Sequence, residues 1–259
     1  MRRLLGLAAL YALVCTTAAR AQSPGDQAVR AAVVLTPPGG LAPLATTTIE
    51  GEVQNGAMFA LRYGYVPAMT GGTATNNVAA TATVPLVFNS TGSLTGGLFA
   101  PSCTGCSAGA MFSLGGDIRV WELPFDGLDG SRLTFTANGE VGYSHPSSQF
   151  GSGSAWGGMV GLPIGWVSGD RTRDKMRIVP FFTPSLAFGS IETAGATLIL
   201  PPQAYEPLPS QVSGGRFVIG GGLALFNRAS TFGFSIGFQY ISVPNSEMQV
   251  GAAMTFGGR

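Results

Sequence analysis

Three residues of the chain have the types and spacing that a serine hydrolase would need. His145, the only histidine, stands two residues before Ser147, and Glu140 precedes both. A serine nucleophile requires a base to take its proton and an acid to orient that base. A two-residue spacing is common by chance, however, and a histidine in a loop is usually solvated. The sequence therefore predicts no catalytic residue, with a hydrolase kept as a lesser alternative.

Metal and redox chemistry have little support in the sequence. Cys103 and Cys106 lie in a loop-like stretch, so a small disulfide is the simplest interpretation. A redox site would need a strand-to-helix context, and zinc would need two further ligands. The pairs Asp126-Gly127 and Asp129-Gly130 resemble calcium ligands, but Asp-Gly is first a turn signal. We expect no metal and no cofactor.

The composition is unusual for a protein with a water-facing surface. The 259 residues include 14 Lys and Arg, 13 Asp and Glu and 39 Gly, with 10% charged and 45% hydrophobic residues. Ordinary globular domains carry about 25% charged residues and about 7% Gly. The balanced charge disfavours nucleic-acid binding, and the apolar content disfavours disorder.

The N-terminus has the pattern of a secretory signal peptide. Arg2 and Arg3 precede an apolar run over residues 4–14, followed by an Ala19-Arg20-Ala21 cleavage site. The run is too short to span a membrane, which takes about 20 apolar residues. We expect a signal peptide over residues 1–21, a flexible periplasmic leader over 22–45 and the folded domain over 46–259.

The exported chain alternates apolar and polar residues with a period of two through most of its length, which predicts an all-β fold. In residues 57–65, for example, Phe59, Leu61 and Tyr63 oppose Ala60 and Arg62. Asn55-Gly56 is a strong hairpin signal between this strand and the one before it. The predicted strands are 46–53, 57–65, 78–88, 111–121, 131–143, 155–167, 176–189, 214–226, 231–243 and 247–256.

The residues on the two faces favour a membrane barrel over a soluble sandwich. The polar faces are rich in Gly, Ala, Ser and Thr, as in a narrow barrel interior. Trp156 and Trp166 end one apolar face, and ten tilted steps between them project to about 25 Å, the height of a lipid-facing band. A sandwich with both Trp in its core is the structural alternative. The predicted aromatic girdle comprises Tyr65, Tyr143, Trp156, Trp166 and Tyr240.

Connection lengths predict the strand number and orientation. Membrane barrels have short periplasmic turns, longer extracellular loops and an even strand count. Working back from the last strand places residues 190–213, 144–154 and 89–110 outside, and 227–230, 168–175, 122–131 and 66–77 in the periplasm. This predicts an antiparallel up-and-down transmembrane β-barrel of ten strands, or eight if the first hairpin is not embedded.

Charged residues on the polar faces would point into the lumen. Charges inside a barrel must be paired or hydrated. They form either a salt-bridge network that fills a closed lumen or the lining of a narrow pore, and a small barrel favours the network. The predicted network comprises Glu50, Glu52, Arg62, Asp117, Arg119, Glu140 and Arg216.

With its signal peptide, alternating strands and closing strand 247–256, the chain resembles the small outer-membrane β-barrel proteins of the OmpA/OmpX type over about 210 residues. In that family the last strand ends in an aromatic residue recognised by the barrel-assembly machinery, here Phe256, although Gly257, Gly258 and Arg259 follow it. We expect no peptidoglycan-binding domain after the barrel.

The resemblance implies a non-enzymatic protein of a Gram-negative outer membrane with a structural or surface-binding role. Outer-membrane lipid, lipopolysaccharide and the barrel-assembly machinery are the expected partners, and the sequence leaves the oligomeric state open. The alternatives are a narrow porin-like channel and an enzyme that modifies lipid A, because His-x-Ser at His145 is similar to the lipid-A deacylases.

Overall fold

The computed structural model describes residues 57–67, 74–102, 108–125, 131–145, 147–148, 151–168, 176–193, 197–200, 204–207, 211–227, 232–241 and 247–257. Several predictions lie outside these residues: the signal peptide, the leader, the strand 46–53 with Glu50 and Glu52, the Asn55-Gly56 turn, the pair Cys103 and Cys106, and the pairs Asp126-Gly127 and Asp129-Gly130. No helix in the described ranges is long and apolar enough to cross a bilayer.

Ten strands form the closed sheet. The described chain also contains Ser147–Ser148, which pairs with Gly151 and Ser152, and a separate hairpin of Thr197–Leu200 and Ala204–Pro207. The sixth strand is interrupted at Leu162 and Pro163 and therefore has two segments. The strands are β1 (Met58–Val66), β2 (Thr75–Pro85), β3 (Ser90–Pro101), β4 (Gly109–Pro124), β5 (Arg132–His145), β6 (Gly151–Gly161 and Ile164–Val167), β7 (Met176–Thr193), β8 (Gln211–Asn227), β9 (Phe232–Ile241) and β10 (Glu247–Gly257).

Each strand pairs antiparallel with the strands before and after it, and the ring is closed. Closure is made by β1 and β10, which pair from Met58 with Gly257 to Tyr65 with Val250. The other edge of β1 is paired with β2, so neither edge of the sheet is left open. The predicted ten-stranded up-and-down barrel is confirmed, as is the resemblance to small outer-membrane barrels at the level of the fold.

The set of ten strands differs from the predicted set. Strand β3 (Ser90–Pro101) was expected to be part of an extracellular loop over residues 89–110, but it pairs along its length with β2 and β4. The tight turn before it places Phe88 and Asn89 at positive φ, the conformation of a two-residue hairpin turn. The ring closes without residues 46–53, which supplied the tenth strand in the prediction.

Inserting β3 changes the predicted side of one connection. Strand β1 ends at Val66, at the same end of the barrel where the other odd-numbered strands end, because neighbouring strands are antiparallel. Those strands end at Pro101, His145, Thr193 and Ile241. The prediction that the connection over residues 66–77 lies at the same end as the short turns is therefore wrong. We call the end at Val66 the loop end, and the opposite end, where β2 ends at Pro85 and β8 ends at Asn227, the turn end.

Proline interrupts the sixth strand at the middle of the wall. Leu162 and Pro163 separate its two segments, yet the register with β5 and β7 continues across them. The Leu162 N–H still donates to the Pro184 carbonyl, and the Thr136 N–H to the Pro163 carbonyl. The return bonds cannot form, because proline has no N–H. Two inter-strand hydrogen bonds are therefore missing next to each other, one between β5 and β6 at Pro163 and one between β6 and β7 at Pro184.

The two faces of the sheet are inverted relative to a soluble protein. Along β1 and β9, exposed large apolar residues alternate with buried small or polar ones. Phe59, Leu61, Leu114 and Val160 point outward and are about half exposed. Arg62, Thr81, Ser113 and Gln249 are buried on the inner face. This is the pattern of a lipid-facing exterior around a polar interior.

Candidate functional site

The centre of the interior holds an ion pair that spans strands far apart in the sequence. Arg62 points inward from β1 and Glu140 from β5, with Arg62 Nη1 and Glu140 Oε1 3.9 Å apart. Arg62 is only 1% exposed and Glu140 5%, so both charges are shielded from bulk solvent. Three strands of the ring, β2 to β4, lie between them on the shorter side, so their side chains meet across the lumen.

Hydroxyl groups complete the surroundings of two inward carboxylates. The Ser113 hydroxyl donates to Glu140 Oε1. The Thr91 hydroxyl donates to Asp117 Oδ1 on the neighbouring strand. Each carboxylate therefore accepts a hydrogen bond from a side chain on the neighbouring strand, which lowers the cost of burying its charge.

The other predicted lumen charges lie near the ends of the barrel. At the turn end Glu122 joins Arg119, at 3.0 Å, to Arg132, at 3.1 Å. Arg216 donates to the carbonyl of Gly215. Five of the seven predicted residues thus lie on inward positions, but they form separate groups along the lumen. Glu122 and Arg132 were missed by the sequence analysis.

A β-bulge explains why Glu122 was missed. The register between β4 and β5 shifts between Arg119 and Trp121. An extra residue in one strand reverses the inward-outward alternation beyond it. Val120 and Trp121 consequently both face outward, while Glu122 turns inward toward Arg119.

The interior is more polar in the half formed by β1 to β5 than in the half formed by β6 to β10. Buried Thr, Ser and charged side chains concentrate on β1 to β5. On β6 to β9 the inward residues include two apolar clusters: Met159, Ala187, Val218 and Ile241, and Val167, Val179, Ala224 and Phe226. The same strands also carry five buried polar residues: Arg177, Thr183, Ser185, Ser235 and Gln239. A smaller apolar cluster, Ala79, Phe99 and Met111, lies within the more polar half.

Several buried polar atoms have no hydrogen-bond partner among the described residues. They include the three guanidinium nitrogens of Arg62, both amide atoms of Gln239 and the hydroxyl of Thr183. Unpaired buried polar groups are costly and are rare in native proteins. The interior therefore has hydrogen-bonding capacity that the described side chains do not use.

Two rows of inward glycines cross the barrel wall and let backbone and side chains approach closely there. Gly64, Gly251, Gly237 and Gly222 are directly paired across four neighbouring strands. A Cβ at Gly222 would meet the Ile236 carbonyl and lie 2.7 Å from Phe181 Cζ. A second such row crosses β8, β7, β6 and β5 and comprises Gly214, Gly189, Gly157 and Gly142.

Aromatic side chains lie at both ends of the outer face. At the loop end the rings of Tyr143 and Trp156 are 4.8 Å apart, and Tyr65 and Tyr240 each stand one residue before the end of a strand. At the turn end lie Trp166 and two ring pairs that the prediction omitted: Trp121 with Phe135, and Phe232 with Phe256. Phe256, the predicted assembly signal, is in the last turn-end positions of β10.

These girdle positions predict depth-dependent quenching of tryptophan fluorescence. With Trp121 and Trp166 changed to Phe, Trp156 remains as the single emitter in lipid vesicles. We expect bromine near the headgroups to quench Trp156 more than bromine at the acyl-chain ends, because the indole lies at an interface. Trp166 alone should behave in the same way. Equal resistance of both indoles to lipid quenchers would contradict a lipid-facing position.

The candidate triad is not assembled by the fold. His145 is exposed at the loop end of β5, whereas Glu140, on the same strand, is buried on the opposite face. Successive residues of a strand point to opposite sides, so a five-residue separation keeps these side chains apart. Among the described residues no group of three or more His, Cys, Asp or Glu could hold a metal ion.

Comparisons with known proteins return likenesses of architecture only. No protein-family model and no curated sequence matches the chain. The translocator domain of autotransporter NalP from Neisseria meningitidis is 11% identical, covers 84% of this chain and 93% of its own, and has a TM-score of 0.34. The β-domain of the Bordetella autotransporter BrkA is 12% identical, with coverages of 78% and 99% and a TM-score of 0.36.

A third solved structure is Ail, the attachment invasion locus protein of Yersinia pestis. It is 10% identical, covers 78% of this chain and 99% of its own, and has a TM-score of 0.32. Likenesses at these values carry no conclusion about this chain. The fold rests on the strand pairing itself.

Proposed function

We propose that the chain is an integral outer-membrane β-barrel protein, non-enzymatic, with a side-chain-filled lumen and a structural or surface-binding role. The observation that carries this proposal is the inversion of its two faces: large apolar side chains cover the outside while charged and hydroxyl side chains are buried inside. In a closed sheet the backbone N–H and C=O groups of every strand edge are paired, which is necessary where hydrocarbon offers them no other partner.

The outer face supports the membrane environment in detail. Its apolar surface continues around all ten strands, far beyond the patch of a few hundred Å² that monomeric soluble proteins expose. Aromatic rings stand at both ends of this surface, where the headgroup regions of a bilayer would lie. Both ends of the strand ring, Met58 and Gly257, lie at the turn end, so that end is assigned to the periplasm.

Heat-modifiability tests the proposal. We expect the chain, expressed in a Gram-negative host, to fractionate with outer membranes and to change gel mobility between unboiled and boiled samples. A closed barrel resists detergent until heat breaks its ring of ladder bonds. Soluble periplasmic protein without a mobility shift would refute the membrane assignment and favour a secreted β-sandwich.

A narrow channel is the second candidate function. The unpartnered atoms of Arg62, Gln239 and Thr183 favour it, because water in the lumen would satisfy them. The closed lumen predicts no steady conductance in planar bilayers, whereas a channel predicts stepwise openings. The lipid-A hydrolase alternative is tested by lipid A analysis of cells that express His145→Ala. A changed lipid A pattern relative to the parent chain would support it.

A further inference from the structure

A groove crosses the lipid-facing surface of four neighbouring strands. It encloses about 540 Å³ between two rows of outward side chains on β1, β10, β9 and β8. Its floor is the backbone of three residues of the first glycine row. The groove is lined by Tyr63, Gly222, Leu223, Ile236, Gly237, Phe238, Val250, Gly251 and Ala252.

The cross-strand register shows how the groove is built. Tyr63, Ala252, Ile236 and Leu223 are paired in one row, and Val250 and Phe238 in the next row toward the loop end. Ala252 is the smallest side chain of its row, so the wall is indented there. Three strand spacings of about 4.8 Å make the groove roughly 14 Å long across the strands. Because strands of membrane barrels are tilted by about 40°, this direction runs obliquely through the bilayer.

A polar pair stands beside the shallow end of the groove. The Tyr63 hydroxyl donates to Asn76 Oδ1 at 2.7 Å. Asn76 is the second residue of β2 at the loop end, level with the aromatic residue Tyr65. The Asn76 amide N–H groups have no protein partner among the described residues. At this level, beside the aromatic girdle, the amide can donate to an acceptor in the headgroup region of the lipid, such as the carbonyl of an acyl ester.

From these two observations we propose that the groove binds one acyl chain of an outer-leaflet lipid A molecule, whose linkage carbonyl accepts a hydrogen bond from Asn76. The chain enters beside Tyr63 and descends over Val250, Ala252 and Ile236 toward Leu223. The groove is continuous with the lipid-facing surface, and its loop end faces the outer leaflet. The inference thus rests on the proposed outer-membrane location.

Native mass spectrometry of the detergent-extracted barrel tests the inference. We expect one lipopolysaccharide molecule to be retained per barrel, and Ala252→Trp, which fills the groove, to abolish this retention. Asn76→Ala should weaken retention about fivefold, the effect of one hydrogen bond. The matched control is Ala80→Trp, which adds the same side chain to an exposed outward position on β2 outside the groove.

The outcomes separate this site from general lipid contact and from the outer-membrane assignment. Equal loss in Ala80→Trp, or retention unchanged by Ala252→Trp, would overturn the site. Retention of phospholipid alone from mixed vesicles would overturn lipid A as its source, and dimers lost in Ala252→Trp would show a second copy in the groove instead. Heat-modifiability of every variant is the folding check, and its loss in the parent chain would refute the proposed function first.

Discussion

Glu140→Leu is expected to lower the free energy of unfolding by about 3–5 kcal/mol, the cost of leaving a buried charge without its partner. Arg62 is shielded from solvent, and no described side chain other than Glu140 forms an ion pair with it. Urea-induced unfolding of the barrel in lipid vesicles measures the change.

Two further variants show whether the loss comes from the unpaired charge. Arg62→Met combined with Glu140→Leu should recover most of the stability, because replacing a buried pair by apolar side chains is often neutral. Ser93→Ala removes an unpartnered inward hydroxyl nearby and should change stability by less than about 1 kcal/mol. A Glu140→Leu loss below that size would indicate that water in the lumen solvates Arg62.

Val160→Arg is expected to destabilise the barrel by about 2–4 kcal/mol, although Val160 is 50% exposed. The residue lies between Trp156 and Trp166 on the outer face of β6, near the middle of the lipid-facing band. An arginine there would enter hydrocarbon, whereas on a soluble protein the same exposed change would be nearly neutral.

Met176→Arg is the matched control, because Met176 is 60% exposed but begins β7 at the turn end. The penalty for arginine falls to about 0–1 kcal/mol near an interface. Unfolding in the same vesicles should therefore separate the two variants. Equal effects would contradict the assigned depth of the two positions.

The sequence allowed the fold class and the inward faces to be predicted, because a strand's period of two fixes which residues share a side. Arg62, Asp117 and Glu140 were assigned inward on that basis alone. Their partners could not be predicted, since Arg62 and Glu140 meet only through the register of five strands. The inward position of Glu122 could not be predicted either, because the bulge after Arg119 breaks the two-residue alternation and nothing in the sequence marks it.

Strand β3 shows where alternation fails as a signal. On its outward face Gly92 and Gly96 alternate with Leu94 and Leu98, so only half of these positions carry an apolar side chain. The turn before it has Phe88 and Asn89 at positive φ, where hairpins usually have Asn-Gly or a glycine pair. The sequence therefore lacks the dipeptide by which such a turn is recognised. The lipid groove was missed for a similar reason: a depression arises from small residues on four strands that are neighbours only after the ring closes.

Pairing of the first and last strands makes the barrel suitable for circular permutation. Met58 lies directly beside Gly257, so a short peptide could join them and make the backbone circular. New ends could then be opened in any loop-end connection, for example within residues 102–108. Such circular permutants would test whether assembly depends on β10 being made last or only on the completed ring.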